Sequence, residues 1–416
     1  MLISEEAFQR EYGHRYQKAL REAEGYVADP ARLRAEIKVA EKAIDRSQLR
    51  VPAPDPYAYR MMCYRGFARF PERLKNFTIA QNEPRAAVRS FLPFLMDVEP
   101  ASRCNFRCIM CTVSGWEKGK RADDLTLEDF EAFLDEHTHL VEMKIQGLGE
   151  PLLHRHFIDM IQLAVERYIW VRTTVNGSLL HVRDNCRRLI DSGVGEVQTS
   201  FDGATKEVFE KIRRNANFER VVQNFTLLND YANRKDRLYT RMWVVVQKHN
   251  RHQIFEFVEL AKQMGFRRLT FSVSLGGWGQ DVWQENNQRL QAQDLTPEEQ
   301  QRLVEVATRE GIDISLWRST GYTTNSPEKL CPAVFGRSSV SSDLRLVPCG
   351  MLGDPGIVDL GDARNFEEYW NGPTYRAFRQ AHLNGKVPKC CRNCYNWDTD
   401  AVQTEADHIT RVQKIL

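Results

Sequence analysis

Three of the chain's ten cysteines fall inside eight residues, CNFRCIMC, as Cys104, Cys108 and Cys111. Thiolates are soft, anionic ligands, and three of them in one tight loop can take one face of a metal site. A structural zinc normally closes with four protein ligands. Three ligands leave a coordination position open for a further molecule. An iron–sulfur cube normally takes four cysteines, so holding it with three would leave one iron free. A second group follows near the C-terminus: Cys331, Cys349, Cys390, Cys391 and Cys394. Four of these could close a second site, as an iron–sulfur cluster or as a four-cysteine zinc knuckle. Cys63 and Cys186 stand apart.

These residues need elements to position them. Residues 1 to about 95 read as charged, amphipathic helices, interrupted by RVPAPDP. From Leu95 onward, short β-rich runs alternate with helical patterns. MDVEP leads into the cysteine loop; EMKIQGLGE, WVRTTVNG, EVQTSFDG, YTRMWVVVQ and RLTFSVS follow. Six such units in βαβα order predict a parallel sheet and a (β/α)₆-like partial barrel. In barrels the chemistry sits at the C-terminal ends of strands. The cysteine loop, GLGEP, VNG and SFDG all fall there. SLGGWGQDVWQENNQ, residues 274–288, reads as a loop, and LTPEEQQRLVEVATREG as a helix capped by Thr296 before Pro297. Three regions are expected: helical 1–95, barrel 96–317, and a cysteine-bearing 318–416.

Composition narrows the classes. The 416 residues carry 58 basic and 56 acidic side chains, a net charge of +2. That balance asks for neither nucleic acid nor an anionic membrane. No apolar run is long enough to span a bilayer, and MLISEEAFQREYG lacks the apolar stretch of a signal peptide. The expected setting is the cytoplasm, where clustered cysteines are metal ligands sooner than disulfides.

CxxxCxxC just after a first strand resembles the signature loop of the radical S-adenosylmethionine (radical SAM) enzymes. IQGLGEP resembles that family's glycine-rich second-strand end. TTVNGSLL resembles its third-strand Asn-Gly, and TSFDGATKEVFEKIR its fourth-strand Ser-x-Asp-Gly turn. The resemblance covers roughly residues 95–275. It implies a [4Fe–4S] cluster on Cys104, Cys108 and Cys111, with SAM chelating the open iron. It further implies that Gly147, Gly149 and Glu150 approach the methionine end of SAM. Asn176, Ser200 and Asp202 are then candidates for ribose and carboxylate contacts, and Arg213 or Arg214 for the SAM carboxylate. The C-terminal region resembles the SPASM extension of these enzymes in a one-cluster form. It implies an auxiliary [4Fe–4S] cluster on Cys331, Cys349, Cys391 and Cys394, with Cys390 as the alternative to Cys391.

The resemblance implies reductive cleavage of SAM to a 5′-deoxyadenosyl radical, which takes hydrogen from an unactivated carbon. A low-potential electron donor such as flavodoxin or ferredoxin is the implied partner. Cys186 is a candidate hydrogen-atom donor, beside its reading as a buried structural thiol. For the substrate, the absence of strand alternation in the first 95 residues leads to a small hydroxylated molecule, a sugar or aminocyclitol, undergoing dehydrogenation, dehydration or epimerisation. The alternative is a maturase of a ribosomally made peptide. A zinc-stabilised, non-enzymatic binding protein is the reading from a different class.

Overall fold

The structure is a computed structural model. It describes residues 2–395 apart from Arg46, Gln48, Lys118, Asp236, Ser319 and Thr320; the expected tail after Tyr395 lies outside the described residues. Proline and acidic punctuation sets the N-terminal helices. α1 (Glu5–Ala28) ends at Asp29, whose carboxylate then accepts from Arg32 N to cap α2 (Pro30–Lys42). Asp55 caps α3 (Pro56–Arg69) in the same way, and Pro71 opens α4 (Pro71–Asn82). A proline in the first helical turn sacrifices an N–H that has no intrahelical partner anyway. The four helices share one core, which docks on Leu95, Val141 and Trp170 of the barrel. Tyr59 meets the Trp170 indole edge-on at 5.3 Å.

The barrel strands are β1 (Leu95–Val98), β2 (Glu142–Ile145), β3 (Trp170–Val175), β4 (Glu196–Ser200), β5 (Thr240–Val245), β6 (Arg268–Ser272) and β7 (Asp313–Trp317). The C-terminal region adds β8 (Arg337–Val340), β9 (Arg345–Val347) and β10 (Gly361–Asp362). The sheet order is β10-β9-β8-β1-β2-β3-β4-β5-β6-β7. The run from β8 through β1 to β7 is parallel, and β9 and β10 are antiparallel. All six expected strands form. The sheet is wider than expected, because β7 joins β6 and β8 joins the free edge of β1. The third region is thus continuous with the barrel sheet.

Helices α5 (Leu127–Glu136), α6 (Phe157–Glu166), α7 (Asn185–Asp191), α8 (Lys206–Ile212), α9 (Phe218–Asn233) and α10 (Glu256–Gln263) alternate with the strands. α11 (Asp281–Leu290) corrects the expectation of a loop over 274–288. α12 (Pro297–Glu310) has the expected Thr296 cap, completed by Glu299 as a capping box. α13 (Ala333–Gly336), α14 (Phe366–Trp370) and α15 (Pro373–Leu383) follow.

Strand residues alternate in chemistry. Met96, Val98, Met143, Ile145, Val171, Val197, Met242, Val244, Leu269 and Phe271 join the helix-side core. The intervening positions, among them Asp97, Lys144, Arg172, Glu196, Gln198 and Arg241, fill the concave face with polar groups. Barrel lumens are usually packed with branched apolar side chains. At the base of this one, Glu142 pairs with Arg172 at 2.5 Å, and Glu196 with Arg241 at 2.7 Å and Arg268 at 2.8 Å. The RVPAPDP segment plugs that base. Arg50 O accepts from Leu316 N at 3.0 Å, Ala53 O accepts from Arg241, and Arg50 pairs with Asp313.

Candidate active site and metal centres

The opposite end of the barrel carries the cysteine loop. It leaves β1 at Val98 and returns through a two-residue ladder in which Arg107 and Cys108 pair antiparallel with Arg214 and Arg213. That ladder brings Arg213 to the thiols. Its Nη1 donates to Cys108 Sγ at 3.9 Å, and its Nη2 pairs with Asp202 at 2.5 Å. Asn176 Nδ2 donates to Cys104 Sγ at 3.9 Å, and Phe106 N to the same sulfur at 3.4 Å. The Val113 N–H supports a thiolate at Cys111. Donors aimed at all three sulfurs are what cluster-bound thiolates need. Without such a group, burial pushes the Cys104 and Cys111 thiols up to about 12 and raises Cys108 as well. Cys111 also feels the negative charge of both other thiols, so the three converge.

The remaining candidates surround this loop, with some roles shifted. Glu150 N donates to Arg103 O at 2.8 Å, which docks the GLGE turn on the cysteine loop. A Cβ at Gly149 would stand 2.1 Å from Ala101 O, and one at Gly147 would stand 2.2 Å from Glu99 Cγ. A side chain at either glycine would collide with protein, so close packing of the GLGE turn on the cysteine loop requires both. Buried Glu150 accepts from Asn176 N at 2.8 Å, and burial raises its carboxyl to about 7. Asn176 is spent on protein: Nδ2 also donates to Asn105 Oδ1, and Oδ1 accepts from Ser178 N and Oγ. In these contacts Asn176 helps to position Cys104. Asp202 is fully buried, with one oxygen on Val245 N at 2.7 Å and the other on Arg213, which it orients. Arg214 is exposed, so Arg213 is the arginine at the thiols. Half-buried Ser200 sits at the end of β4, opposite Trp243 in register.

Cys186 does not reach this mouth. It lies on α7 in the helix-side core, with Sγ donating to Asn224 O at 3.7 Å. His154 Nε2 meets Leu125 O and His156 pairs with Asp159, both structural roles.

Sequence reasoning missed the strap formed by 274–291. Trp278 Nε1 and Asn287 Nδ2 both donate to Met110 O, at 2.9 and 3.1 Å, and Asn286 Nδ2 to Ile109 O at 3.0 Å. These amides hold the backbone between Cys108 and Cys111. Two asparagines and a tryptophan after a double glycine were the available signal. The lumen-facing side chains were also missed, and polar residues at every second strand position would have shown them.

The C-terminal cysteines gather beside the same mouth. A Cβ on Gly350, next to Cys349, would stand 2.6 Å from Asp97 Oδ2, and one on Gly353 would stand 3.1 Å from Leu148 of the GLGE turn. Backbone N–H groups of Ala333 and Val334 support a thiolate at Cys331, and those of Met351 and Leu352 one at Cys349. Cys331, Cys391 and Cys394 pack together around Leu330, Val334, Phe335, Val387 and Tyr395. Cys390 has its Cβ near Gly279 of the strap, and its sulfur stands 4.0 Å from that of Cys391 and close enough for Cys394 to feel its charge. Among the described residues, no three His, Cys, Asp or Glu side chains close on a point as they would around one ion. A loop of three thiols and a further group of cysteines are donor sets that fit iron–sulfur clusters, whose irons take thiolate ligands.

The profile of the radical SAM superfamily matches residues 98–261, and that of the SPASM iron–sulfur cluster-binding domain matches 331–395. Mycofactocin maturase MftC of Mycobacterium ulcerans is 28% identical over 198 residues, 46% of this chain and 51% of that protein. A probable GTP 3′,8-cyclase of Saccharolobus islandicus is 28% identical over 169 residues, 40% of this chain and 52% of that protein. The chain thus aligns with about half the length of these relatives. Streptococcus suis SuiB bound to its precursor peptide SuiA shares the fold, with a TM-score of 0.54 and 15% identity over 78% of this chain and 72% of that one. So does anSMEcpe with AdoMet and the Cp18Cys peptide, with a TM-score of 0.53 and 17% identity over 78% of this chain and 96% of that one. The radical SAM domain binds a [4Fe–4S] cluster and SAM, and the SPASM domain binds auxiliary iron–sulfur clusters. With donors on every thiol of the first loop and a second cysteine group at the same mouth, this chain belongs to the radical SAM superfamily and carries a SPASM domain.

Proposed function

We propose that the chain is a maturase that modifies a ribosomally made peptide by SAM-dependent radical chemistry. The observation that carries the chemistry is the three-thiol loop, with a donor on each sulfur, at the mouth of a polar lumen. When bound there, the cluster and SAM supply a 5′-deoxyadenosyl radical. The chain's own residues do the rest. Arg213 and Asn176 orient Cys108 and Cys104, the GLGE turn and the strap fix the loop backbone, and Ser200 borders the lumen. A flavodoxin or ferredoxin is the proposed electron source.

The peptide substrate replaces the small hydroxylated molecule expected from sequence. That expectation rested on a helical N-terminal region, and the region is helical. The relatives nevertheless favour the peptide, since several of those matched are maturases. In SuiB the same fold holds a precursor peptide.

The test is anaerobic turnover under strong reductant. Formation of 5′-deoxyadenosine, lost in Cys108→Ala, is the expected result for the chemistry. Tight binding and a mass change of a precursor peptide is the expected result for the substrate. Turnover of a free sugar with no peptide binding would overturn the substrate reading and leave the chemistry standing.

A further inference from the structure

Among the described residues, Lys144 is a lumen cation with no carboxylate in ion-pair contact. Asp97 pairs with Arg337, Glu142 with Arg172, and Glu196 with Arg241 and Arg268. With Lys144, five cations face three carboxylates. Lys144 stands on β2, in register with Asp97 on one side and Arg172 on the other. Its ammonium makes no hydrogen bond and no ion pair among the described residues. Protein surrounds the side chain, yet it keeps accessible surface. Part of the side chain is therefore open to the barrel lumen.

Nearby, Asp97 Oδ1 and Gln146 Oε1 are buried with no hydrogen-bond partner among the described residues. Gln146 follows the end of β2, where its N–H turns back onto Lys144 O at 3.1 Å and the chain enters the GLGE turn. Farther round the sheet, the half-buried rings of Trp243 and Trp317 stand 6.0 Å apart on the lumen side of β5 and β7. An ammonium buried without an anion is costly, and methionine would fill the space without that cost. Desolvation depresses Lys144 to about 7; Asp97 and Glu196 oppose that shift, and Arg172 and Arg337 reinforce it. The lumen thus carries two more cations than carboxylates, and Lys144 is the cation with no carboxylate in ion-pair contact.

We propose that the lumen is an anion-binding subsite in which Lys144 holds a carboxylate of the substrate. On the peptide reading above, the carboxylate is an acidic side chain or the peptide's C-terminus. The inference rests on that reading for the carrier, not for the carboxylate.

The test is protection of Lys144 from an amine-acylating ester on the full, cluster-loaded chain, read by peptide mass spectrometry with exposed Lys38 as reference. N-acetylglutamate N-methylamide carries the side-chain carboxylate, N-acetylglycine the terminal one, and N-acetylglutamine N-methylamide neither. One or both carboxylates should slow acylation of Lys144 about threefold when two thirds of the sites are filled, with Lys38 unchanged. Which of them protects identifies the source. Protection by gluconate with neither peptide probe active would support the anion subsite and overturn the peptide carrier. Equal protection by the neutral amide, no protection by any acid, or no acylation of Lys144 at all would overturn the subsite. Lys144→Met gives a second readout. Its Tm should rise, because an unpaired buried charge is removed; a marked fall would make Lys144 a structural member of the ion-pair floor and overturn the proposal.

Discussion

The two cysteine groups sit at one end of one barrel but are built differently. The first is contiguous in sequence, and besides local backbone N–H groups it takes side-chain donors from distant strands on two of its sulfurs: Asn176 after β3, and Arg213 beyond β4. The second spans residues 331–394, and backbone N–H groups and an apolar cluster hold it. A loop that keeps an open coordination position cannot use a fourth ligand to stay rigid, so the barrel supplies the rigidity. A four-cysteine group closes on itself and needs only a packed shell.

The largest test of this difference is Cys104→Ala. About four irons should be lost and 5′-deoxyadenosine formation abolished, while the auxiliary irons remain; iron, sulfide and product analysis on anaerobic protein checks it. Next in size is Cys391→Ser, which should remove about four irons from the second site and leave SAM cleavage measurable. Cys390→Ser should leave the iron count near eight. The reverse pattern would exchange the two assignments and show that the apolar cluster does not select the ligand.

A smaller effect is expected from Arg213→Met. It strands the fully buried Asp202 carboxylate and should cost about 3–5 kcal/mol in denaturant unfolding. A loss under 1 kcal/mol would mean that distant side chains do not stiffen the first loop. The smallest effect is confined to a pH window. Burial raises Glu150 to about 7, so between the ordinary glutamate range and about 7 the folded state holds a proton that the unfolded state has released. Stability should therefore fall as pH rises through that window, by roughly 3 kcal/mol or less, and Glu150→Gln should flatten the fall. Thermal melts of the metal-free protein at stepped pH measure it.

Local signals were readable where one short segment carried the whole message. The Thr296 cap, the six strand runs and the cysteine spacing are of that kind. α11 was not, because its ten residues have no apolar stripe and are held by hydrogen bonds to Ile109 and Met110, far away in sequence. The pairing of β8 with β1 joins residues some 240 positions apart, and no local pattern announces it. The site residues divide in the same way. Cys104, Cys108 and Cys111 could be named from spacing alone. That Arg213 and not Arg214 reaches the sulfurs depends on the register of a two-residue ladder.

The sequence by itself determined the ligand chemistry, the alternation that gives a parallel sheet, and the helical character of the N-terminal region. Each follows from residue type and period within a few turns of chain. Only the tertiary structure decided that Asn176 and Asp202 serve the protein before any ligand, that the second cysteine group flanks the same mouth, and that Lys144 is left without a partner. Those outcomes depend on which side chains meet across strands, and a buried charge is paired or unpaired only once every neighbour is in place.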